Sequence, residues 1–440
     1  MTAATLYHLV SLGCAKNRVD SENIMGLLGE KGYTYTPDPG QAEVIIVNTC
    51  SFITPARKES VAEILQLAEY KQDKCRVLLV AGCLPARYRR ELFKEIPRVD
   101  GLVTPANLHR IPRIIDRCLS GSKSSALGRG EGPPDGLPRL ATGQPHSVYV
   151  KIADGCNHTC SFCIIPRLRG PYKSRPLESI LGEAERLVSG GARELNLIAQ
   201  DTSFYGMDLY GRRRLPELLQ KLARIEGLAW LRILYAHPLH VDEELLETMA
   251  GEEKVCPYLD LPLQHCAPDI LKRMYRGAKG PGPLLEKCRD MVPGIALRST
   301  FIAGFPGERS RHFRDMLDFL QEHRLDRVGI FPYSREEGTP AAGYPHQVPS
   351  RVIRYRYNRA MAFLKEMSLA GNKKLLGRAF EVMVDRRKAG DIYTGRYYGQ
   401  APEVDGHILF PSPGALKPGQ LVRVRVVKAL DYDLEGEVCQ

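Results

Sequence analysis

The sequence predicts an α/β protein with three parts: an N-terminal doubly wound parallel sheet, a central partial (βα)6 barrel and a small C-terminal all-β barrel. Strand and helix patterns alternate over residues 1–120, which is typical of a parallel sheet. Six more strand patterns with intervening helical patterns fill residues 147–372, and short strand patterns divided by Gly and Pro fill residues 373–440. A chain of 440 residues also exceeds what one hydrophobic core usually organises, which favours several domains.

Three cysteines follow the three strand patterns of the first part. Those patterns are YHLVSLG, VIIVN and RVLLVAG, and helical patterns separate them at 17–31 and 55–70. Cys14, Cys50 and Cys83 each come just past a strand, and the carboxyl ends of parallel strands meet at one edge of a sheet. Two interpretations remain open at this point: buried reduced thiols, or a second set of three thiolates that binds a metal cluster.

A segment rich in Gly, Ser and Pro, residues 121–146, predicts a linker between domains. Beyond it, the strand patterns are VYVKIA, ELNLIA, LRILYA, YLDLPL, LRSTFIA and VGIFPY. They alternate with helical patterns at 177–189, 215–226, 242–250, 268–276, 283–291 and 311–323. This repetition favours a parallel barrel, or part of one, with its active site at the carboxyl ends of the strands.

The most specific motif is Cys156-x-x-x-Cys160-x-x-Cys163, just after the first of these strands. A 4Fe-4S cluster has four irons and usually takes four thiolates, so three cysteines without a nearby fourth leave one iron open for a ligand. The alternative is a structural zinc site, which normally shows two spaced pairs and a closing Cys or His. His158 lies within the loop but has no second pair beside it in the sequence. The spacing therefore favours the cluster, in the pattern of radical S-adenosylmethionine (SAM) enzymes.

Two further segments lie at predicted strand ends. Gly304, Gly307 and Glu308 belong to the turn GFPGE, whose glycines permit close approach to a ligand and whose glutamate would lie near a helix N-terminus. A βα turn with a helix cap explains the same residues equally well. Gln200 and Asp201 end the second barrel strand, where they would either cap the next loop or hydrogen-bond a cofactor.

Positive charge is concentrated in one predicted helix. Residues 351–374 contain seven Lys or Arg and one Glu. Their net charge of +6 is more than half of the chain's net charge of +11. Residues 373–440 contain eleven Lys or Arg against nine Asp or Glu, a weak footprint for a nucleic-acid-binding barrel. The helix is consistent both with a solvated packing face and with contact to a ribosomal or RNA surface.

The sequence has no membrane-spanning stretch and no secretory signal. A cytoplasmic location is therefore expected, and twelve cysteines in such a protein indicate metal or thiol chemistry rather than disulfides. Cys266 lies near the predicted barrel mouth, but we leave it out of the ligand set. The remaining cysteines are expected to be reduced structural thiols: Cys75, Cys118, Cys256, Cys288 and Cys439.

Along essentially its whole length the chain resembles the methylthiotransferases, radical SAM enzymes with a second cluster in an N-terminal domain and a C-terminal TRAM barrel. The resemblance lies in SLGCAKNRVDSE, NTCSFI, LLVAGCL, KIADGCNHTCSFCIIPRLRGPYKSR, LNLIAQDTSFYG and FIAGFPGE. Three of these phrases, LGCAKNRVDSE, CIIPRLRGPYKSR and AQDTSFYG, are similar to the branch that modifies an aspartate of small-subunit ribosomal protein twelve. The transfer RNA branch typically shows GCQMN, VVPYTRG-like and GQNVN-like runs instead. Arg309 is a departure, because relatives usually have Thr after GFPGE.

The resemblance implies two 4Fe-4S clusters and SAM as cofactors, with no catalytic residue beyond the clusters. Cys156, Cys160 and Cys163 would bind the radical-generating cluster, whose open iron binds SAM. The auxiliary cluster would take the other set, Cys14, Cys50 and Cys83. The implied cofactor contacts are Phe162, Gln200, Gly304, Gly307 and Glu308.

The implied activity is methylthiolation of the β-carbon of an aspartate in ribosomal protein twelve. Two alternatives remain: methylthiolation of transfer RNA adenosine, and a noncatalytic iron–sulfur sensor that binds ribosomes or RNA. The expected partners are ribosomal protein twelve, free or in the ribosomal subunit, and a reductase or flavodoxin-type electron donor. RNA contact is expected through 351–374 and the TRAM barrel, and no membrane contact is expected.

Overall fold

The computed structural model describes residues 5–128 and 134–439. Its first sheet has six parallel strands in the order β2-β1-β3-β4-β5-β6. The strands are β1 Leu6–Ser11, β2 Thr34–Tyr35, β3 Val44–Thr49, β4 Val77–Gly82, β5 Gly101–Val103 and β6 Ser124–Ala126. The helices are α1 Ala15–Glu30, α2 Thr54–Ala68, α3 Cys83–Tyr88, α4 Glu91–Glu95 and α5 Ile111–Leu119.

Strands β3 and β4 are buried on both faces, as continuous Val, Ile and Leu runs require in a doubly wound sheet. Their alternate residues enter two different apolar clusters. Ile46 and Leu79 pack in one cluster with α1 and α5, whereas Ile45 and Leu78 pack in the other with α2. Helices therefore cover both faces, which confirms the doubly wound α/β prediction.

The second sheet is an open, all-parallel partial barrel with the order β14-β13-β12-β11-β10-β7. Its strands are β7 Ser147–Lys151, β10 Glu194–Ile198, β11 Trp230–Ile233, β12 Val255–Asp260, β13 Ala296–Ala303 and β14 Arg327–Pro332. A short antiparallel pair, β8 Ala153–Asp154 and β9 Lys173–Ser174, flanks the cysteine loop. All six predicted barrel strands are present, and the sheet is left open between β7 and β14.

The helices of the barrel cover its outer face, where their apolar residues form the largest core of the molecule with the sheet. They are α7 Leu177–Ser189, α9 Leu215–Ala223, α10 Glu243–Gly251, α12 Gly282–Met291 and α13 Ser310–His323. Three short helices lie in the loops instead: α6 Ile165–Arg169, α8 Met207–Tyr210 and α11 Pro268–Arg273. A long helix, α14 Ser350–Lys373, then packs against β14 and α13 and leads to the last domain.

The C-terminal domain is a closed five-stranded barrel in the order β15-β16-β17-β19-β18. Its strands are β15 Ala379–Ala389, β16 Ile392–Arg396, β17 Ile408–Pro411, β18 Leu421–Ala429 and β19 Leu434–Val438. Alternate residues such as Val382, Val424 and Phe410 fill its interior, so it has a core of its own. The predicted small all-β barrel is confirmed.

This small barrel closes the amino-terminal end of the large one. Arg232 on β11, which is fully buried, donates to Glu194 at the start of β10, and Glu194 also pairs with Arg396 of β16. Asp405 accepts a hydrogen bond of 2.8 Å from the Tyr258 hydroxyl inside the large barrel. Paired buried charges thus join the two domains at the end opposite the cysteine loop.

Helix α1 of the first domain lies against the barrel edge at β7. Buried Asp20 accepts from Lys151 of β7 and from Arg169 of α6, and Arg169 also bonds Asn17. These side chains are buried, so the junction between the first two domains is a network of paired charges rather than a wet gap.

Among the described residues, no helix is long and apolar enough to cross a membrane.

Candidate functional site

The three cysteines of the first domain lie on neighbouring loops at the carboxyl edge of its sheet. Cys14 is the N-cap of α1, Cys50 directly follows β3, and Cys83 is the first residue of α3. A Cβ placed on Gly13 would lie 2.7 Å from Cys50 Cβ, so the first two loops are in direct contact. The topology therefore brings these cysteines together.

A glycine with a positive φ precedes three of the six cysteines. Gly13, Gly82 and Gly155 have φ values of 92°, 92° and 79°, and each stands immediately before the first cysteine of its loop. This backbone conformation disfavours other residues, because their Cβ would clash with the chain. The turn that presents each thiol is thus encoded by the residue just before it.

Side chains brace the loops around Cys50. Asn17 donates to the carbonyl oxygens of Leu12 and Thr49, each at 2.9 Å, and so ties the first loop to the second. The Thr49 hydroxyl donates to Ala81 O and accepts from Leu84 N, which ties the second loop to the third. Ser60 bonds both backbone groups of Cys50. Such bracing fixes thiol positions in the way that ligands of a rigid cluster require.

Cys50 and Cys83 are buried, whereas Cys14 is exposed, and burial disfavours the charged form of the two buried thiols. Burial raises the pKa of Cys83 to about 12 and also raises the pKa of Cys50, and neighbouring cysteines add to both shifts. Arg169 from the barrel opposes the shift at each of the two. Thiolates are the form that binds iron, so a bound cluster would supply the positive charge that the two buried thiols need.

The second cysteine set occupies one loop between β8 and α6. Cys156 and Cys160 are buried and Cys163 is partly buried. Burial raises the pKa of Cys156 to about 11 and that of Cys163 to about 12. Arg276 Nη1 lies 3.8 Å from Cys160 Sγ, which places one positive charge beside the loop. Three thiols with no fourth cysteine among them fit a cluster that keeps one iron for another ligand.

The two sets adjoin across the domain junction. Cys83 packs in a small apolar cluster with Ile164, which directly follows Cys163, and with Leu168 of α6. Arg169, the last residue of α6, is buried and pairs with both Asp20 and Asp154. Arg169 belongs to the motif CIIPRLRGPYKSR, but no spacing in the sequence indicates that its guanidinium crosses the domain junction.

Gln200 lies close to the cysteine loop with one polar atom free. Its Nε2 donates to Asp154 Oδ1 at 3.0 Å, but its buried Oε1 has no protein partner. A buried acceptor without a donor is costly unless a ligand supplies one. The amino group of SAM would be such a donor, so Gln200 fits the predicted role of a cofactor contact.

Phe162 packs beside the GFPGE turn, in an apolar cluster that contains Phe305, Ile302 and Tyr333. This surface joins the cysteine loop to the ends of β13 and β14, where an apolar ring system could be covered. Contact between Phe162 and SAM stays a prediction that is compatible with this position.

The glycines and glutamate of the GFPGE turn have partners within the protein. Glu308 accepts from Gly304 N at 2.7 Å and from Arg356 of α14 at 2.7 Å, so its carboxylate braces the turn. A Cβ on Gly304 would lie 2.5 Å from Ile353, and one on Gly307 would lie 3.0 Å from Arg273. Packing of α14 and α11 accounts for these residues, and cofactor contact through them stays a prediction.

The structure gives a local reason for tolerating Arg309. It is the N-cap of α13, and its backbone N–H donates to His312 Nδ1 at 3.1 Å. His312 at the third helical position thus satisfies a backbone donor at the helix start that would otherwise lack a partner. The cap that the sequence put in doubt is present.

His158 has partners that the sequence did not reveal. Its Nε2 lies 2.7 Å from Asp201 Oδ2, and its ring stacks on His237 with centroids 3.9 Å apart. His240 Nδ1 lies 2.8 Å from the same carboxylate oxygen. Burial opposes ionisation of Asp201, but hydrogen bonds from the two histidines outweigh it and lower its pKa. Burial also lowers the pKa of His237 to about 2.

The other cysteines take no part in either set. All twelve are free, and the described structure contains no disulfide. Cys266 is buried beside His265 at a barrel strand end. Cys75, Cys118, Cys256 and Cys288 are buried and Cys439 is partly buried, as expected of reduced structural thiols.

Family models match three stretches of this chain. The model described as "Uncharacterized protein family UPF0004" covers residues 6–104, the radical SAM superfamily model covers 150–320, and the TRAM domain model covers 376–439. The radical SAM match contains the Cys156 loop, and the first match contains Cys14, Cys50 and Cys83.

Curated relatives match over nearly the full length. The ribosomal protein uS12 methylthiotransferase RimO of Heliobacterium modesticaldum is 48% identical over 98% of this chain and 94% of its own. The enzyme of the same name from Desulforamulus reducens is 44% identical over 98% of this chain and 99% of its own. The chain belongs to the radical SAM methylthiotransferase family. The predicted family and transferase class are thereby confirmed.

Solved structures support the fold of this methylthiotransferase family member. The radical SAM methyltransferase TsrM from Kitasatospora setae superimposes with a TM-score of 0.59 at 14% identity, over 89% of this chain and 77% of TsrM. The cobalamin-dependent radical SAM enzyme OxsB gives a TM-score of 0.52 at 14% identity, over 82% of this chain and 56% of its own. Identities this low speak for a shared architecture alone.

Proposed function

We propose that this enzyme methylthiolates the β-carbon of an aspartate in small-subunit ribosomal protein uS12. The observation that carries the proposal is the junction of the two cysteine sets, where Cys83 packs against the residue that follows Cys163. Methylthiolation needs a hydrogen removed and sulfur added at the same carbon, so two cluster sites must lie within reach of one substrate side chain. The relatives named for uS12 favour this substrate over transfer RNA adenosine.

An aspartate β-carbon offers neither a leaving group nor a readily removed proton, so acid–base catalysis alone cannot functionalise it. When bound, two 4Fe-4S clusters and SAM supply a radical that removes hydrogen from carbon and a sulfur donor. We assign Cys156, Cys160 and Cys163 to the first cluster, and the three loops of the first domain to the second. The protein's share is to position both groups and to keep water away.

Individual side chains support this positioning. Gln200 Oε1 is placed to accept from the amino group of SAM, and Arg276 keeps a positive charge beside Cys160. Phe162 and the apolar cluster around Phe305 would cover the cofactor's ring system from water. Arg169 sits between Asp20 and Asp154 and holds α1 against the barrel, which sets the separation of the two cysteine sets.

We assign the work of the enzyme to the predicted domains, with one correction: β6 Ser124–Ala126 extends the first sheet into the predicted linker, of which residues 129–133 lie outside the described residues. Residues 1–120 would bind the auxiliary cluster, residues 121–146 would connect it to the barrel of 147–372, and residues 373–440 would form the TRAM domain. Exposed Arg351, Arg354 and Arg359 on α14 have no carboxylate within ion-pair distance in the described structure, which supports contact with ribosomal RNA around uS12. The reaction takes place in the cytoplasm, with electrons from a reductase or flavodoxin-type donor.

The test is an anaerobic assay of the reconstituted enzyme with SAM, sulfide and a reductant. Parallel samples contain uS12, small ribosomal subunits or transfer RNA, and mass spectrometry detects one added methylthio group. We expect product on an aspartate of uS12 together with deoxyadenosine. Product on transfer RNA alone would replace the substrate assignment, and failure to form any deoxyadenosine would favour a noncatalytic iron–sulfur sensor.

A further inference from the structure

Four side chains beside the cysteine loop form a compact group of metal-binding type: His158, Asp201, His237 and His240. One ligand atom from each lies within 4.8 Å of the others. Within residues 5–128 and 134–439, no other group of three or more His, Cys, Asp and Glu side chains meets this spacing. Neither cysteine set is such a group, and a 4Fe-4S core would not require it, because the thiolates around that core stand further apart.

The group is assembled from three segments that the barrel brings together. His158 lies within the cysteine loop, Asp201 follows β10, and His237 and His240 follow β11. Asp201 Oδ2 lies 2.7 Å from His158 Nε2 and 2.8 Å from His240 Nδ1, so one carboxylate oxygen faces two imidazole nitrogens. The other oxygen, Oδ1, accepts from Ser203 and from the backbone N–H of His237.

An unsatisfied polar atom lies in this group. His237 is 6% exposed, and its Nε2 is buried without a hydrogen-bond partner. Its Nδ1 accepts a long hydrogen bond of 3.3 Å from Leu239 N. A buried ring nitrogen that the protein leaves unpaired, next to a carboxylate and two more imidazoles, indicates a missing ligand.

We propose that His158, Asp201, His237 and His240 bind one divalent zinc-type cation. Imidazole nitrogens and one carboxylate suit zinc, whereas magnesium and calcium prefer oxygen alone. Two imidazoles on one tetrahedral zinc have ring centroids roughly 5 Å apart, given Zn–N distances of about 2.0–2.1 Å. The ring centroid of His240 lies 5.0 Å from that of His158 and 5.2 Å from that of His237, which matches this spacing.

Binding needs a small adjustment. The rings of His158 and His237 stack at 3.9 Å and must separate, and His237 exchanges its 3.3 Å hydrogen bond for a metal bond. Each ligating nitrogen must be unprotonated, so the protons that face Asp201 and the proton on His237 Nε2 move to the other ring nitrogen or to solvent. Four protein ligands close the coordination sphere, as structural zinc sites do.

The role of this cation is to fix the cysteine loop to the barrel. His158 stands two residues after Cys156 and two before Cys160, so a bond from its ring to the ends of β10 and β11 limits the motion of both thiols. This role is independent of the substrate, and the site stands whether or not uS12 is the protein that is modified.

The test is metal binding by full-length protein whose clusters have been reconstituted, because empty cysteine sets also take zinc. Zinc is added to slight excess, loose metal is removed by gel filtration, and zinc and iron are measured together. Crystals of the same sample are used for anomalous scattering just above and just below the zinc absorption edge, which separates zinc from iron. We expect one zinc per chain and a zinc peak between the four side chains.

Variants distinguish ligation from a hydrogen-bond network. His240→Gln and His237→Asn are expected to lower zinc affinity at least tenfold while iron content stays unchanged. His407→Gln is the matched control, because His407 faces a single carboxylate, Asp433 at 3.4 Å, with no further ligand in the described structure. The proposal is overturned if reconstituted protein retains no zinc, if the zinc peak lies elsewhere, or if His240→Gln binds zinc as tightly as His407→Gln does.

Discussion

The two cysteine sets solve the same problem, three thiols around one space, in different ways. Cys156, Cys160 and Cys163 come from one loop, so their spacing is fixed by eight consecutive residues. Cys14, Cys50 and Cys83 come from three loops, and their spacing depends on the pairing of β1, β3 and β4. One set is a local structure and the other is a product of the whole first domain.

Because of this difference, the two sets depend on different structural features. The single loop depends on its own turns and on the barrel strands beneath it. The three-loop set depends on cross-links such as Asn17 and Thr49, which tie one loop to the next. Their common element is a left-handed glycine directly before the first cysteine of the loop, at Gly13, Gly82 and Gly155.

Removing each set in turn should have the largest effect and separate two activities. The variant Cys156→Ala/Cys160→Ala/Cys163→Ala should lose about four irons and reduce deoxyadenosine formation at least about 10³-fold. The variant Cys14→Ala/Cys50→Ala/Cys83→Ala should also lose about four irons but still cleave SAM, without forming methylthiolated product. Iron analysis and chromatography of deoxyadenosine check both. Equal loss of SAM cleavage in the two variants would contradict the separate roles.

Ala variants of Gly13 and Gly155 test whether each turn positions the cysteines of its own set. A Cβ on Gly155 would lie 2.0 Å from Pro171 O, and one on Gly13 would lie 2.7 Å from Cys50 Cβ. Each Ala variant should therefore lower unfolding free energy by more than the 1–2 kcal/mol that is roughly the cost of a left-handed Ala. Gly155→Ala should mainly reduce deoxyadenosine formation, and Gly13→Ala should mainly reduce product formation.

Gly121→Ala is the control for these glycine variants. Its φ is 88°, but no atom lies within 4 Å of the added Cβ. Urea denaturation should show a loss of about 1–2 kcal/mol with normal iron content. If Gly121→Ala were as damaging as Gly155→Ala, backbone strain rather than the clash with Pro171 would explain the effect.

A smaller effect is expected at Glu336, which connects the barrel to the loops of the first domain. Its buried carboxylate accepts from Thr54 N and Arg87, each at 2.9 Å, and from Arg57. Glu336→Gln leaves two arginines beside a neutral amide, so we expect a loss of about 2–3 kcal/mol, somewhat below that of a fully broken buried pair. Product formation should fall more than deoxyadenosine formation, because the two sets lose their fixed separation.

The pH dependence of Glu336 follows from its lowered pKa. Burial opposes ionisation, but hydrogen bonds from Ser334 and Arg57 outweigh it. Its stabilising contribution is therefore full above the unfolded pKa of about 4.3 and is lost as pH falls through the lower folded value. Urea midpoints of the native protein and Glu336→Gln should differ at pH 7 and converge towards acid pH. Glu217→Gln, at a partly exposed pair with Arg214, should change stability by less than about 1 kcal/mol.

The smallest effect is expected on the surface of α14. Arg351→Gln/Arg354→Gln/Arg359→Gln should raise KM for ribosomal subunits a few-fold at low salt and leave the reaction with isolated uS12 unchanged, because exposed charges act through screened attraction. The charge-matched control is Arg110→Gln/Arg113→Gln/Arg117→Gln on the first domain. A KM increase of the same size in the control would mean that net charge, rather than α14, is responsible.

The sequence predicted much of the fold because its signals are periodic. Six strand patterns in the middle part became the six barrel strands, since β-branched runs alternate there with amphipathic helices. The cysteine loop could be identified because its chemistry lies in contiguous residues. The meeting of the other three cysteines at one edge could be predicted as well, because parallel strands place their carboxyl ends together, but a cluster there was implied only by the family resemblance.

Other features depended on tertiary packing and left no local signal. His158 is isolated in the sequence, because its partners Asp201 and His237 follow different strands. Gly304 suggested close approach of a ligand, whereas in the structure the Ile353 side chain of α14 occupies the adjacent space. Arg169 and Glu336 cross a domain junction, and no spacing rule connects residues of separate domains.

Closure of the large barrel by the TRAM domain determines how a substrate can enter. Tyr258, Arg298 and Asp405 fill the amino-terminal end of the lumen with paired charges, so a protein segment has no passage there. Both cysteine sets lie at the opposite rim, between the first domain and the loops of the barrel, so a substrate side chain has to reach that rim. A target residue at the tip of a projecting loop is suited to this approach, because such a loop can enter between two domains.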